Sequence, residues 1–185
     1  PDYLDPEVEL MVGDVRNRSV VDAALRDVDL VVHLAAKVGV GQSMYEIAEY
    51  TAMNNEATAV LLEALIQQPV QRLVVASSMS IYGEGLYRDA AGRPVPGHER
   101  SREQLEAGHW ELEDEDGNPL EPVPTTEDKV PALTSIYALS KFDQERMCLI
   151  TGSAYRIPTV ALRLFNVYGP RQAVSNPYTG VLAIF

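Results

Sequence analysis

Asp29-Leu-Val-Val-His-Leu-Ala-Ala36 is apolar almost throughout. A strand with one face in water alternates apolar and polar residues, whereas a strand covered on both faces runs apolar without alternation. The stretch therefore reads as an inner strand of a parallel sheet. Gln71-Arg-Leu-Val-Val-Ala76 and Thr159-Val-Ala-Leu-Arg-Leu164 have the same character, and Val8-Glu-Leu-Met-Val12, closed by Gly13-Asp14-Val15, reads as an earlier strand. Helical patterns lie between them. Ser19 is placed to N-cap a helix carrying Val20, Ala23, Ala24 and Leu25. A long helix is expected from about Met44 to Ile66, with Leu61, Leu62, Ala64 and Leu65 as its core face, and another from Ser135 to Tyr155. Strands alternating with such helices form βαβ units, so the expected fold is α/β with a doubly wound parallel sheet.

In sheets of this kind ligands sit at the C-terminal strand ends. Asp14, Ala35-Ala36, Ser77-Ser78 and Asn166 all fall there. Close by in sequence stands Ser135-Ile-Tyr137-Ala-Leu-Ser-Lys141, whose Tyr137 and Lys141 share one helix face, one turn apart. An ammonium near a phenol favours the phenolate and would lower a pKa of about 10. A tyrosine so prepared can exchange a proton with an alcohol near neutral pH. The spacing alone also describes ordinary helix neighbours, and the strand-end residues are what raise it to a candidate site.

The 185 residues fit about one domain. A net charge of −12 argues against nucleic-acid binding, which needs clustered Lys and Arg. Cys148 is the single cysteine, excluding an intrachain disulfide and a cysteine-based zinc knuckle. No apolar run reaches the roughly 18 residues of a spanning helix and no signal peptide opens the sequence, so a cytoplasmic protein without membrane contact is expected. Pro1-Asp-Tyr-Leu-Asp-Pro6 running straight into a strand, and Leu182-Ala-Ile-Phe185 ending inside an apolar run, read as a piece of a longer polypeptide.

The regular alternation breaks after Gly83. Residues 84–124 are rich in Gly, Pro and acid, centred on Glu111-Leu-Glu-Asp-Glu-Asp116. They read as an insertion, with a short helix near Ser101 to Ala107 and a hairpin around Asp116-Gly117-Asn118. The expected organisation is residues 1–83 as part of a dinucleotide-binding domain, 84–124 as insertion, and 125–185 as the Tyr137 helix, the following strand and the start of a substrate region. His98, His109 and Trp110 match no metal-site spacing, and no metal is expected.

Gly13-Asp14-Val15-Arg16, His33-Leu-Ala-Ala36, Ser77-Ser78 with Tyr82-Gly83, Tyr137 with Lys141, and Leu162-Arg163 with Phe165-Asn166-Val167-Tyr168-Gly169-Pro170 stand in the order and spacing of a known family. The chain resembles an extended short-chain dehydrogenase/reductase, more narrowly the NAD-dependent epimerase/dehydratase family acting on nucleotide sugars. The resemblance implies a Rossmann-type sheet with NAD as cofactor. Asp14 would meet the adenine amino group and Val15 would pack on the ring, although Asp14 equally suits a turn or cap. Leu34, Ala35, Ala36 and Lys37, with Ala76 and Ser77, would lie along the dinucleotide, and Asn54 would brace the loop beside it. Ala57 stands where the family usually has glycine. Lys141 would bond the nicotinamide ribose and polarise Tyr137, and Phe165 and Val167 would line the nicotinamide. Ser78, Tyr137 and Lys141 would be catalytic; Ser78, Ser80, Tyr137 and Asn166 would contact the substrate. His33 and Cys148 read as core residues. The family's glycine-rich phosphate loop has no counterpart within these residues.

Family dehydratases carry Asp-Glu directly after the catalytic Ser or Thr; here Met79-Ser80 follow Ser78, which disfavours elimination and leaves 4-epimerisation or oxidation. Ser77-Ser-Met-Ser-Ile-Tyr-Gly-Glu-Gly85, Tyr168-Gly-Pro-Arg-Gln172 and Ser175-Asn-Pro-Tyr-Thr-Gly180 are similar to the dTDP-L-rhamnose 4-epimerase group. Relatives there carry paired Cys-x-x-Cys knuckles in the insertion, where this chain has Arg88, Ala91, Glu113 and Asp116. The insertion must then fold without metal or stay mobile. Alternatives are a UDP-hexose or UDP-uronate 4-epimerase, an NAD(P)-dependent sugar oxidoreductase, or a non-catalytic scaffold. The resemblance also implies a homodimer, with Tyr45, Ile47 and Met147 facing outward.

Overall fold

The computed structural model describes residues 4–172. In chain order the elements are α1 (Arg18–Ala24), β1 (Leu30–His33), α2 (Val40–Ser43), α3 (Ile47–Tyr50), a π-helical turn (Thr51–Glu56), α4 (Ala57–Gln67), β2 (Arg72–Ala76), a 3-10 turn (Met79–Tyr82), β3 (Leu86–Arg88), β4 (Pro94–Pro96), α5 (Arg102–Glu106), β5 (Glu121–Val123), α6 (Ile136–Tyr155) and β6 (Thr159–Leu162). They form two compact units. One comprises the chain up to Ser78 together with the chain from Ser135 onward, and the other is Met79–Thr134.

The first unit is the expected parallel sheet, in the order β1-β2-β6. Leu30 pairs with Arg72 and His33 with Val75; Leu73 pairs with Thr159 and Ala76 with Leu162. The connections carry α4 and α6, as parallel neighbours require a crossover. Val21 and Leu25 of α1, Leu61, Leu62, Ala64 and Leu65 of α4 and Cys148 of α6 pack with Leu73 and Val75 into one core. Because side chains alternate along a strand, the same strands send Leu30, Val32, Val160 and Leu162 to the other face, where they are 44–51% exposed. Among the described residues, helices cover one face of the sheet.

Several boundaries differ from the expectation. Val8 to Val12 is not a strand: no strand among the described residues pairs with it, and Val12 is 92% exposed. The residue capping α1 is Asn17 rather than Ser19, because the helix starts two residues earlier and Asn17 Oδ1 accepts from Ser19 N at 3.0 Å. The helix expected from Met44 is interrupted: α2 ends at Ser43, α3 restarts at Ile47, and Thr51–Glu56 widens to a π turn before α4. Met147 packs against the core instead of facing outward, while Tyr45 and Ile47 are 72% and 50% exposed.

The second unit folds around a three-stranded antiparallel sheet, β4-β3-β5, and Leu112 and Leu120 are buried in it. Pro94, Pro96 and Pro122 sit on its two edge strands, where a missing N–H costs no ladder bond. Ser101 caps α5, its hydroxyl accepting from Gln104 N at 3.1 Å. Two Asp-x-x-Gly turns have matching geometry. Asp89 Oδ1 accepts from Ala91 N at 3.0 Å and Arg93 N at 2.8 Å, and Asp114 Oδ1 accepts from Asp116 N at 3.0 Å and Asn118 N at 2.8 Å. Gly92 and Gly117 follow at φ +79° and +80°, the left-handed region that a Cβ disfavours. Carboxylates thus gather the turn amides. Among the described residues no three His, Cys, Asp or Glu side chains are placed to share a metal ion.

Candidate active site

Ser77 and Ser78 leave the C-terminal end of β2, and both are buried. Ser77 Oγ donates to Glu145 Oε2 at 2.6 Å, and Arg163, just past β6, donates to the same carboxylate from Nε at 3.1 Å and Nη2 at 2.8 Å. Burial alone would raise the Glu145 pKa, but the hydrogen bonds from Arg163 and Ser77 outweigh it and hold it low. This buried clamp joins the end of β2, α6 and the end of β6, and thereby sets where Ser78 stands.

Tyr137 lies in the first turn of α6. Ser135 caps the helix by accepting from Ala138 N at 3.0 Å, and Ser43 Oγ, from α2, accepts from Tyr137 N at 2.9 Å. Two of the helix's four orphan N–H groups are thus satisfied by side chains. The Tyr137 ring meets Tyr50 edge-on, with centroids 6.5 Å apart at 88°. A hydrogen bond joins Tyr137 to Ser78. Burial raises the pKa of the phenol and outweighs the Ser78 hydrogen bond, which lowers it. The phenol therefore lies above its ordinary value, opposite to the expectation from the Tyr137–Lys141 spacing. The reason is where the ammonium points: Lys141 is 3% exposed and its Nζ donates to Gln144 Oε1 at 2.7 Å. Burial brings Lys141 itself down to about 8.

Asn54, on the π turn, holds the loop that leaves β1. Its Oδ1 accepts from Lys37 N at 2.7 Å, and its Nδ2 donates to Lys37 O at 3.1 Å and Ser140 Oγ at 2.9 Å. Tyr50 fixes the same loop by donating to Val38 O at 2.7 Å. The Lys37 ammonium is engaged by Glu46 at 2.7 Å and Glu49 at 2.5 Å, so its side chain points to acids and its backbone to Asn54.

The remaining expected residues are distributed as follows. Leu34 and Ala35 are exposed at the end of β1, and Ala36 is half-buried. Phe165, Asn166 and Val167 follow β6 and are exposed. Ala76 closes β2, half-buried. Asp14 is bound by Arg16, Nη2 donating to Oδ2 at 2.6 Å, which with the Arg16 backbone bond brings its pKa down to about 2. Val15 packs against the core. Ser80 belongs to the second unit, on the 3-10 turn, and is half-buried. Residues 175–180 lie outside the described residues. His33 is buried, its pKa brought down to about 4 first by burial and then by Lys141. Cys148 is fully buried and pushed up to about 12 by the same desolvation.

A cavity of about 320 Å³ opens along the end of β1, lined by Gly13, Val15, Val32, Leu34 and Ala35 among others. Its lining is apolar: Gly13 and Ala35 leave room for a dinucleotide at the strand end, while Val21, Leu25 and Leu61 belong to the core. The buried polar residues Ser43, Thr58, Gln144 and Glu145 were not picked out by sequence. The signal that could have found them was that Gln144 and Glu145 share the helix face of Tyr137, Lys141 and Cys148.

Residues 2–110 and 113–185 match the NAD dependent epimerase/dehydratase family. The chain belongs to that family. It is 35% identical to dTDP-L-rhamnose 4-epimerase of Burkholderia thailandensis over its whole length, covering 51% of that protein. Among solved structures, it superposes on the Thermus thermophilus UDP-glucose 4-epimerase complex with NAD with a TM-score of 0.71 at 29% identity, covering 99% of this chain and 49% of that one. It superposes on the Bacillus cereus UDP-glucuronic acid 4-epimerase complex with UDP-glucuronic acid and NAD with a TM-score of 0.65 at 27% identity, covering 90% of this chain and 42% of that one. The chain spans about half the length of these relatives. Like them it has a Rossmann-type parallel sheet, and NAD is the cofactor of the family. No described helix is long and apolar enough to cross a membrane.

Proposed function

We propose that the protein is an NAD-dependent nucleotide-sugar 4-epimerase acting on dTDP-L-rhamnose. The observation that carries this reading is the hydrogen bond between Ser78 and Tyr137, with Lys141 one turn along α6. The identity to the Burkholderia enzyme supports the choice of sugar. Tyr137 takes the proton of the C4 hydroxyl, and Ser78 hydrogen-bonds the same oxygen as it becomes a carbonyl. NAD, when bound, supplies the acceptor for the C4 hydride. Leu34, Ala35 and Ala36 would lie along the dinucleotide, Lys141 would bond its ribose, and Phe165 and Val167 would line its nicotinamide. Tyr137 then returns the proton once the keto sugar has presented its other face. No carboxylate follows Ser78, so no residue there serves to eliminate water.

A UDP-hexose or UDP-uronate 4-epimerase is the second reading, favoured by the solved UDP-glucose 4-epimerase and by the solved UDP-glucuronic acid 4-epimerase with its UDP-glucuronic acid bound. Exposed Tyr45 and Ile47 support a homodimer through the α3 region. The test is incubation of the full chain with dTDP-L-rhamnose, UDP-glucose and UDP-galactose, with and without NAD, reading C4 stereochemistry by NMR. Conversion of dTDP-L-rhamnose to its C4 epimer is expected. Net NADH formation without epimerisation would make the protein an oxidoreductase instead.

A further inference from the structure

The contact made by the Lys141 ammonium belongs to a fully buried chain of polar groups. Gln144, 1% exposed, accepts from Lys141 Nζ through Oε1. Its amide nitrogen lies 2.8 Å from Thr58 Oγ1, 3.4 Å from Ala35 O and 3.3 Å from His33 Nε2. Thr58 has one hydroxyl proton and donates it to Asn54 O at 2.6 Å. Its oxygen must then accept from both Gln144 Nε2 and His33 Nε2, the latter at 2.9 Å. The network assigns the ring proton of His33 to Nε2. It also fixes the Gln144 amide: the NH2 group faces two acceptors, and the oxygen is left for the ammonium. A flipped amide would set NH2 against a cation and a carbonyl against a carbonyl.

We infer that Gln144 is a positioning residue that aims the Lys141 ammonium and couples it to the Ala35 carbonyl at the dinucleotide-binding strand end. An ammonium has three N–H donors in fixed relation, so engaging one sets the directions of the other two. Thr58 and Asn54 continue the chain to the Lys37 backbone, and one network thereby holds both sides of the cofactor groove. The inference rests on the reading of Lys141 as the group that bonds the cofactor ribose.

The full chain is compared with Gln144→Met, which keeps the shape and removes both hydrogen-bonding atoms, and with Gln144→Glu, which keeps the acceptor. NAD affinity of the cofactor-free protein is measured by calorimetry, alongside thermal midpoint and the separate kcat and KM values. Gln144→Met is expected to weaken NAD binding about tenfold, as loss of a hydrogen bond to a charged group does, and to lower kcat more than it changes sugar KM. Gln144→Glu keeps the acceptor for the ammonium but sets an oxygen against the Ala35 carbonyl, so its NAD affinity is expected to lie between those of the parent and Gln144→Met, within about threefold of the parent. Parent-like NAD affinity in Gln144→Met overturns the inference. If that variant fails to fold, an NAD affinity in well-folded Gln144→Glu weakened about tenfold overturns it as well. Lys141→Met tests the underlying reading separately. Unchanged NAD binding there removes Lys141 from the cofactor site, and the inference falls with it. Weakened binding there, with none in Gln144→Met, overturns the role of Gln144 alone.

Discussion

Ser77 and Glu145 meet at 2.6 Å across a buried junction, and the neighbouring Ser78 hydrogen-bonds Tyr137. Two adjacent serines at one strand end thus do different work: the first ties β2 to α6, and the second faces the phenol that α6 presents. Glu145→Ala would leave Arg163 without its bidentate partner in a largely buried position. Breaking one half of such a pair costs about 3–5 kcal/mol, so the urea midpoint should fall sharply. A loss below about 1 kcal/mol, the range of an exposed pair, would contradict the clamp.

His33 gives a pH dependence of known sign. Its pKa in the folded chain is about 4 against 6.5 when unperturbed, so the unfolded chain binds its proton first as pH falls. Its contribution is complete above about pH 6.5 and is lost progressively toward pH 4, by about 3 kcal/mol in all. His33→Gln places a non-titrating amide at the ring position. Its thermal midpoint should decline less than the parent's between pH 6.5 and 4, and parallel curves would contradict the assignment.

The sheet was legible because strands of a parallel sheet are apolar without interruption, and the Asp29–Ala36 and Gln71–Ala76 runs led directly to β1 and β2, although among the described residues one face of these strands is uncovered. Tyr137, Lys141 and Ser78 were legible from spacing and order. Val8 to Val12 was misread because composition registers an apolar run but not whether a neighbour exists to pair with it. The π turn around Asn54 was invisible because its sequence, Thr51-Ala-Met-Asn-Asn-Glu56, has no helix breaker. Its cause is tertiary: both amide atoms of Asn54 bond backbone groups of Lys37. The direction of the Lys141 ammonium was likewise set by Gln144 and by burial, which helix periodicity does not report.

Cys148 should behave as an inert thiol. It is fully buried and its pKa is pushed up to about 12, so little thiolate exists at neutral pH. A disulfide reagent should label it only as fast as the fold opens, and immediately in denaturant. Rapid labelling of the native protein would contradict its placement on the core side of α6.

In the second unit, carboxylates organise both Asp-x-x-Gly turns. Asp89→Ala should accelerate hydrogen exchange at the Ala91 and Arg93 amides, and Asp114→Ala should do so at Asp116 and Asn118. Chelator treatment should leave the thermal midpoint unchanged. A midpoint lowered by chelator would mean that a metal, and not these carboxylates, holds the turns.

The most direct test of the proposed chemistry follows the hydrogen at C4. A dTDP-L-rhamnose carrying deuterium at C4 is turned over by the full chain in ordinary water, with Tyr137→Phe as control. Removal and return of hydride through one site predicts that the C4 epimer keeps its deuterium, and that the control, lacking the base, is slower by about 10²-fold or more. Loss of the deuterium to solvent would mean that C4 exchanges a proton rather than a hydride, and would contradict the account.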